Sequence, residues 1–318
     1  MVEKIPKLPE RGNSSAGANS TIRRSNSLYS ILTACPYDGG MQRAGIAILL
    51  FTAAIVSAQT PVVVPGGVLN AASFAKDGSG RGTPVAPGSL VSIFGTNLGS
   101  SLASADTVPF STSLGGVSVM FGSAPAPLRD VIPAAQLVNA QIPFNVLPAG
   151  QTTGTVNVVV TSNGIASAPQ TVQIVPAAPG IFTNPPGVGQ AILVNLTDGS
   201  IAGPTSAAGT FGSIQVHPIQ RGQFAFFYAT GLGALSPPIP DGAADSALHT
   251  AVSTPVVMVG GITAQVLFAG QAPGFPGVYQ VNIAIPNGAP TGNNVDLQIQ
   301  TADGSVVSAP KISTIAIQ

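Results

Sequence analysis

Charge is what this chain has least of. Its 318 residues carry 11 Lys and Arg against 11 Asp and Glu, so charged side chains make up only 7% of the sequence. Past Ala58 there are two Lys, three Arg and eight Asp, and Glu is absent. Nucleic-acid binding needs clustered Lys and Arg to displace counterions from phosphates, and no such cluster exists, so nucleic acid is excluded as a partner. Tryptophan is missing altogether, and of the four tyrosines only Tyr228 and Tyr279 lie beyond residue 58. The single cysteine, Cys35, precedes that point as well. For a chain beginning after Ala58, disulfides, thiol catalysis and thiolate metal sites are ruled out, and stability must come from packing.

What is there is turn chemistry and short β-prone runs. The chain holds 38 Gly and 29 Pro, and its hydrophobic fraction of 45% is spread evenly, which argues against disorder. Val, Ile, Thr and Phe fill the runs between the turns, the pattern of an all-β protein. The runs also repeat. Pro87-Gly88-Ser89-Leu90-Val91-Ser92-Ile93-Phe94-Gly95-Thr96-Asn97-Leu98-Gly99 returns, altered, as Arg221-Gly222-Gln223-Phe224-Ala225-Phe226-Phe227-Tyr228-Ala229-Thr230-Gly231-Leu232-Gly233. Met120-Phe121-Gly122 returns as Met258-Val259-Gly260, Val138-Asn139-Ala140 as Val281-Asn282-Ile283, and Ser167-Ala168-Pro169 as Ser308-Ala309-Pro310. A unit duplicated in chain order predicts two tandem β-sandwiches, over 61–182 and 183–318.

In the first, strands are expected at Val68–Asn70, Leu90–Phe94, Val117–Phe121, Gln136–Ile142, Thr155–Thr161 and Ala168–Val175, with a tight hairpin at Asn163-Gly164. Residues 176–187, rich in proline, read as a semi-rigid linker.

The amino-terminal segment reads as an address. Met41-Gln42-Arg43 precedes an apolar run from Ala44 to Val56 and the small-residue site Val56-Ser57-Ala58. That is the layout of a secretory signal peptide cleaved after Ala58, and the run is short for a permanent span. Residues 1–40, which hold every Glu, read as a non-native or disordered extension, with Met41 as the true start. A lipobox-like Leu32-Thr33-Ala34-Cys35 has too short an apolar stretch before it to compete strongly. An uncleaved anchor at 44–58 is the other alternative.

The segment 87–98 is similar to the opening of IPT/TIG immunoglobulin-like domains. Ala178-Pro179-Gly180-Ile181-Phe182, Tyr228 to Gly233, and Phe268 to Asn282 resemble an uncharacterised domain family expanded in acidobacteria and found at the C-terminus of exported proteins. The resemblance implies two tandem immunoglobulin-like β-sandwiches and export. It implies no activity or cofactor.

Chemistry is sparsely provisioned. His217 and His249 have Asp241 and Asp245 nearby in sequence, yet there is no nucleophile elbow and His217 has no His or Glu at helical ligand spacing. The Asp-Gly turns at Asp198, Asp241 and Asp303 could contribute to weak calcium binding, but none forms the dense acidic loop calcium favours. Without Glu there is no carboxylate pair for glycoside hydrolysis. No catalytic residue, cofactor or metal is therefore expected.

The leading expectation is a secreted, non-enzymatic adhesion, matrix or assembly module at the cell envelope, with an envelope protein or polysaccharide as partner. The alternative is a carbohydrate-binding protein using the loop 270–277, with Gln271, Phe275 and Tyr279 as contacts. Against it, Tyr228 and Tyr279 sit in strand-like runs where core packing is the ordinary role, and Phe275 could pack on its own domain.

Overall fold

The short β-prone runs become strands, and helix is confined to two three-residue 3₁₀ turns, Pro133–Ala135 and Thr205–Ala207, among the described residues. The computed structural model describes residues 59–309 and 311–318. The proposed extension and signal peptide, 1–40 and 41–58, lie outside the described residues. Among the described residues, no helix is long and apolar enough to cross a membrane.

The first set of strands is β1 (Val62–Asn70), β2 (Leu90–Thr96), β3 (Val117–Phe121), β4 (Leu128–Ile132), β5 (Leu137–Gln141), β6 (Gly154–Ser162) and β7 (Gln170–Ile174). One sheet runs β1-β2-β5-β4 and the facing sheet runs β7-β6-β3. With the two-residue strands Ala103–Ser104, Ser113–Leu114, Ala124–Pro125 and Ile165–Ala166 set aside at the margins, these seven antiparallel strands, divided four and three in this order, follow the constant-type immunoglobulin arrangement.

The second set is β8 (Leu193–Asn195), β9 (Phe224–Thr230), β10 (Val256–Val259), β11 (Ile262–Gln271), β12 (Tyr279–Ala284), β13 (Gly292–Gln300) and β14 (Ser313–Ile317). It repeats the order as β8-β9-β12-β11 and β14-β13-β10, with Gly189–Ala191 added parallel to β14. The molecule is all-β, with tandem immunoglobulin-like sandwiches.

Alternation explains both cores. In β9, Ala225, Phe227 and Ala229 are fully buried while Phe224, Phe226 and Tyr228 face outward. Phe121, Leu128 and Ile142 fill the first core, and Leu193, Phe227 and Ile283 the second. Burial of each such side chain stabilises by about 1.5–3 kcal/mol.

The duplication extends to small devices. Ser167 Oγ accepts the Val160 N–H of β6 at 3.1 Å, and Ser308 Oγ accepts the Ile299 N–H of β13 at 3.0 Å. The amide of each serine donates back to the same residue's carbonyl, at 2.8 Å and 2.9 Å. A register shift falls at Arg129 in the β4–β5 pair and at Leu267 in the β11–β12 pair. The two units differ where proline intervenes. Pro125 and Pro127 lack the N–H that a ladder needs, so the chain breaks between the two-residue strand Ala124–Pro125 and β4. Thr263 and Gln265 stand at the matching positions, and β11 runs unbroken from its pairing with β10 to its pairing with β12.

Several expectations are corrected. The opening strand extends back to Val62, with an irregularity between Val63 and Val68. Strand β4 was not foreseen, because its flanking prolines and the Arg129-Asp130 pair hide the alternation. The strand expected over Ala168–Val175 is shortened to Gln170–Ile174, and a two-residue strand, Ile165–Ala166, precedes Ser167-Ala168-Pro169. The hairpin at Asn163-Gly164 forms as read, both residues taking the positive φ of a two-residue turn.

Candidate functional site: the junction and its cleft

The proline-rich segment 176–187 is stitched into a sheet. Gly180 and Ile181 pair with Thr230 and Ala229 of β9, and Thr183–Asn184 pairs with Gly189–Ala191. Around this stitch, buried polar side chains join the sandwiches. Thr230, fully buried, accepts the Leu90 N–H at 2.8 Å and donates to the Gly277 carbonyl at 2.7 Å. Gln141, also fully buried, accepts the Gly242 N–H at 2.6 Å. Asn70 donates to the Ala178 carbonyl at 3.0 Å while its Oδ1 accepts the Ala72 N–H at 2.9 Å.

The loop 237–249 reaches across. The Asp241 carboxylate accepts the Phe144 N–H and the Gly242 carbonyl accepts the Phe110 N–H, each at 2.8 Å. Phe144 in turn packs against the second core.

Glycine permits this closeness at two points. Gly88 takes φ +76°, and a Cβ there would overlap the Phe144 ring. Gly231 takes φ +90°, and a Cβ there would overlap the Ala178 carbonyl. The segments 178–182, 228–233 and 268–282, scattered in sequence, therefore meet at one place.

Beside the junction lies a cleft of about 850 Å³. One wall is the outward face of β2 and β5, with the adjoining bulge of β4. Along it Ser92 Oγ donates to Asn139 Oδ1 at 2.7 Å, Asn139 Nδ2 to Asp130 Oδ2 at 3.2 Å, and Arg129 Nη1 to the same Asp130 oxygen at 2.6 Å. The other wall is aromatic. Tyr228 stands 6.1 Å from Phe275, ring centre to ring centre, and 5.5 Å from Phe226. Partial burial pushes the Tyr228 hydroxyl above its ordinary pKa, so it stays a neutral donor.

The three expected contacts divide. Phe275, 54% exposed, lines the cleft. Gln271 is buried, and its Nε2 donates to the Phe275 carbonyl at 2.6 Å, so it shapes the loop from beneath. Tyr279 is fully buried, donates its hydroxyl to the Gly233 carbonyl, and has its pKa pushed up by that burial. Expected as a contact, Tyr279 is a core residue, while Tyr228, for which core packing was the ordinary role, lines the cleft. The alternation of β9 separates Tyr228 from the buried Phe227. Arg129, Asp130 and Asn139 were not foreseen, because their meeting depends on the β4–β5 pairing that the prolines hide.

The other titratable side chains serve their own turns. Asp77, Asp198 and Asp303 each begin an Asp-Gly-Ser turn and accept the serine's N–H and hydroxyl. A further bond from the Thr301 hydroxyl leads in holding Asp303 down to about 2. His249 Nδ1 meets the Pro237 carbonyl at 2.7 Å and Nε2 meets Asp245 at 3.0 Å. His217 pairs with Asp198 at 3.0 Å. Among the described residues, no group of three or more His, Cys, Asp or Glu is placed to hold a metal ion.

Compared with known proteins, the sequence matches no family model and no curated protein. Among solved structures, it is similar to the I9–I11 tandem of titin at 9% identity and a TM-score of 0.18, covering 73% of this chain and 61% of that one. This chain thus spans less than two thirds of that tandem's length. A chimeric titin Z1Z2–Z1Z2 tandem shares 13% identity at a TM-score of 0.18, with coverage of 81% and 99%. The D00–D0 domain of intimin shares 12% identity at a TM-score of 0.15, with coverage of 74% and 94%. Strand order, rather than these likenesses, carries the assignment of the fold.

Proposed function

We propose that this chain is a non-enzymatic, exported module of the cell envelope that adheres or assembles through a rigid pair of immunoglobulin-like sandwiches. The observation that carries this reading is the junction. Thr230 and Gln141 are buried polar groups that hydrogen-bond across the two sandwiches, and Asn70 anchors the linker at Ala178, so their bonds favour one relative orientation. A flexible tether would leave those groups solvated and would have no need of them. Fixed orientation suits a spacer or assembly unit, which must present its ends at a set angle. The absence of catalysis is supported by the use to which the titratable side chains are put, since His249 and the Asp-Gly-Ser carboxylates are engaged in local structure and Asp241 in the junction. Export is supported by the sequence of 41–58 and by the family resemblance.

The test is fractionation and crosslinking of the full chain in its native host. The reading predicts an envelope or extracellular protein beginning at Gln59 and crosslinked to envelope protein or polysaccharide. A cytoplasmic chain that keeps residues 1–58 would contradict it.

A further inference from the structure

We infer that the cleft beside the junction binds a neutral saccharide segment, held between the Tyr228–Phe275 wall and the Ser92–Asn139–Asp130–Arg129 wall. The cleft's volume, about 850 Å³, falls within the ~300–1,000 Å³ of small-ligand sites. Its walls differ in kind. The aromatic wall offers apolar faces with a phenol at hand, suited to the C–H face of a pyranose ring. The polar wall is a chain of hydrogen bonds at 2.7, 3.2 and 2.6 Å, already oriented before any ligand arrives. Hydroxyl, amide, carboxylate and guanidinium in series present both donors and acceptors, as vicinal sugar hydroxyls require. A ligand that is apolar on one face and hydroxyl-rich at its edges satisfies both walls at once.

Charge narrows the class. Arg129 is already paired with Asp130, and Asp106 adds a second carboxylate to the lining, so the cleft does not favour an anion. Backbone geometry argues against a peptide added as a strand. The polar wall is a sheet face, with Ser92 and Asn139 paired across β2 and β5, and Tyr228 is likewise paired with Gln280 across β9 and β12. The β2–β5 and β9–β12 ladders are complete, and the two-residue strand Ala103–Ser104 pairs along the outer side of β4, so these walls offer little edge for strand addition. This inference goes beyond the envelope role and does not depend on where the chain resides.

The experiment is calorimetric titration of the full chain with cellotetraose, maltotetraose, xylotetraose and chitotetraose, with tetragalacturonate as the anionic arm. Saturable binding of at least one neutral tetrasaccharide is expected, with sugar ring protons shifted upfield in NMR by the aromatic wall. Phe275→Ala and Asn139→Ala should each weaken binding tenfold or more, while Leu248→Ala, exposed and outside the cleft, should leave it unchanged. Because Asn139→Ala could disturb the sheet, Tyr228→Phe serves as a milder variant, keeping the ring and removing the hydroxyl, with an expected loss of several-fold. No saturable binding to any neutral tetrasaccharide would overturn the inference. So would binding that Phe275→Ala and Tyr228→Phe leave untouched, or tighter binding of tetragalacturonate.

Discussion

Thr230 occupies the position of greatest leverage, because its hydroxyl both accepts from Leu90 and donates to Gly277 where water cannot substitute. Thr230→Val keeps the shape and strands both partners. The expected loss is about 1–3 kcal/mol for each stranded group, read from chemical denaturation. The two tyrosines show what a single residue's neighbours can reveal. In Phe224-Ala225-Phe226-Phe227-Tyr228-Ala229 the small residues share a face with Phe227, so a period-two reading places Tyr228 opposite that core. Nothing in sequence reveals that this outward face is roofed by the loop carrying Phe275. The Asp-Gly-Ser turns were readable as turns, and their chemistry follows. With its carboxyl held at about 2, Asp303 contributes stability that is present above the ordinary carboxylate range and lost as pH falls through about 2.

At the scale of elements, the paired Ser-Ala-Pro devices make the duplication measurable. Ser167→Ala and Ser308→Ala each remove the oxygen accepting a buried strand amide, so each should lower stability by a similar amount, about 1–3 kcal/mol. A loss confined to one variant would show that the two devices are not equivalent.

The loop 237–249 carries the histidine whose protonation is tied to its hydrogen bonds. His249 is raised above its ordinary value, first by the Pro237 carbonyl and then by Asp245. A raised folded value means the contribution is fully present below the unfolded pKa of 6.5 and fades as pH rises through the folded one. Hydrogen exchange of the Gly242 amide should therefore quicken, beyond its intrinsic base catalysis, as pH rises above 6.5. His249→Gln should remove that excess. Most strands were legible because alternation and turns mark them. Strand β4 was not, since prolines and a bulge erase its period, and with it went the polar wall of the cleft.

At the scale of the molecule, two sandwiches could have been read from the repeat alone, but not their relation to one another. A proline-rich stretch between repeats signals restricted motion. It gives no hint that Gly180 and Ile181 join a sheet or that Thr230 reaches across to Leu90. Those contacts link residues about 50 and 140 positions apart, and no local pattern encodes them. We propose that the junction fixes one orientation of the two sandwiches. This is tested by electron-electron spin-label distances between the exposed positions Leu102 and Leu248, each replaced by cysteine and labelled, with Cys35 changed to serine. One narrow distance distribution is expected, and it should broaden with Thr230→Val. A broad or multiple distribution in the otherwise unaltered chain would contradict it.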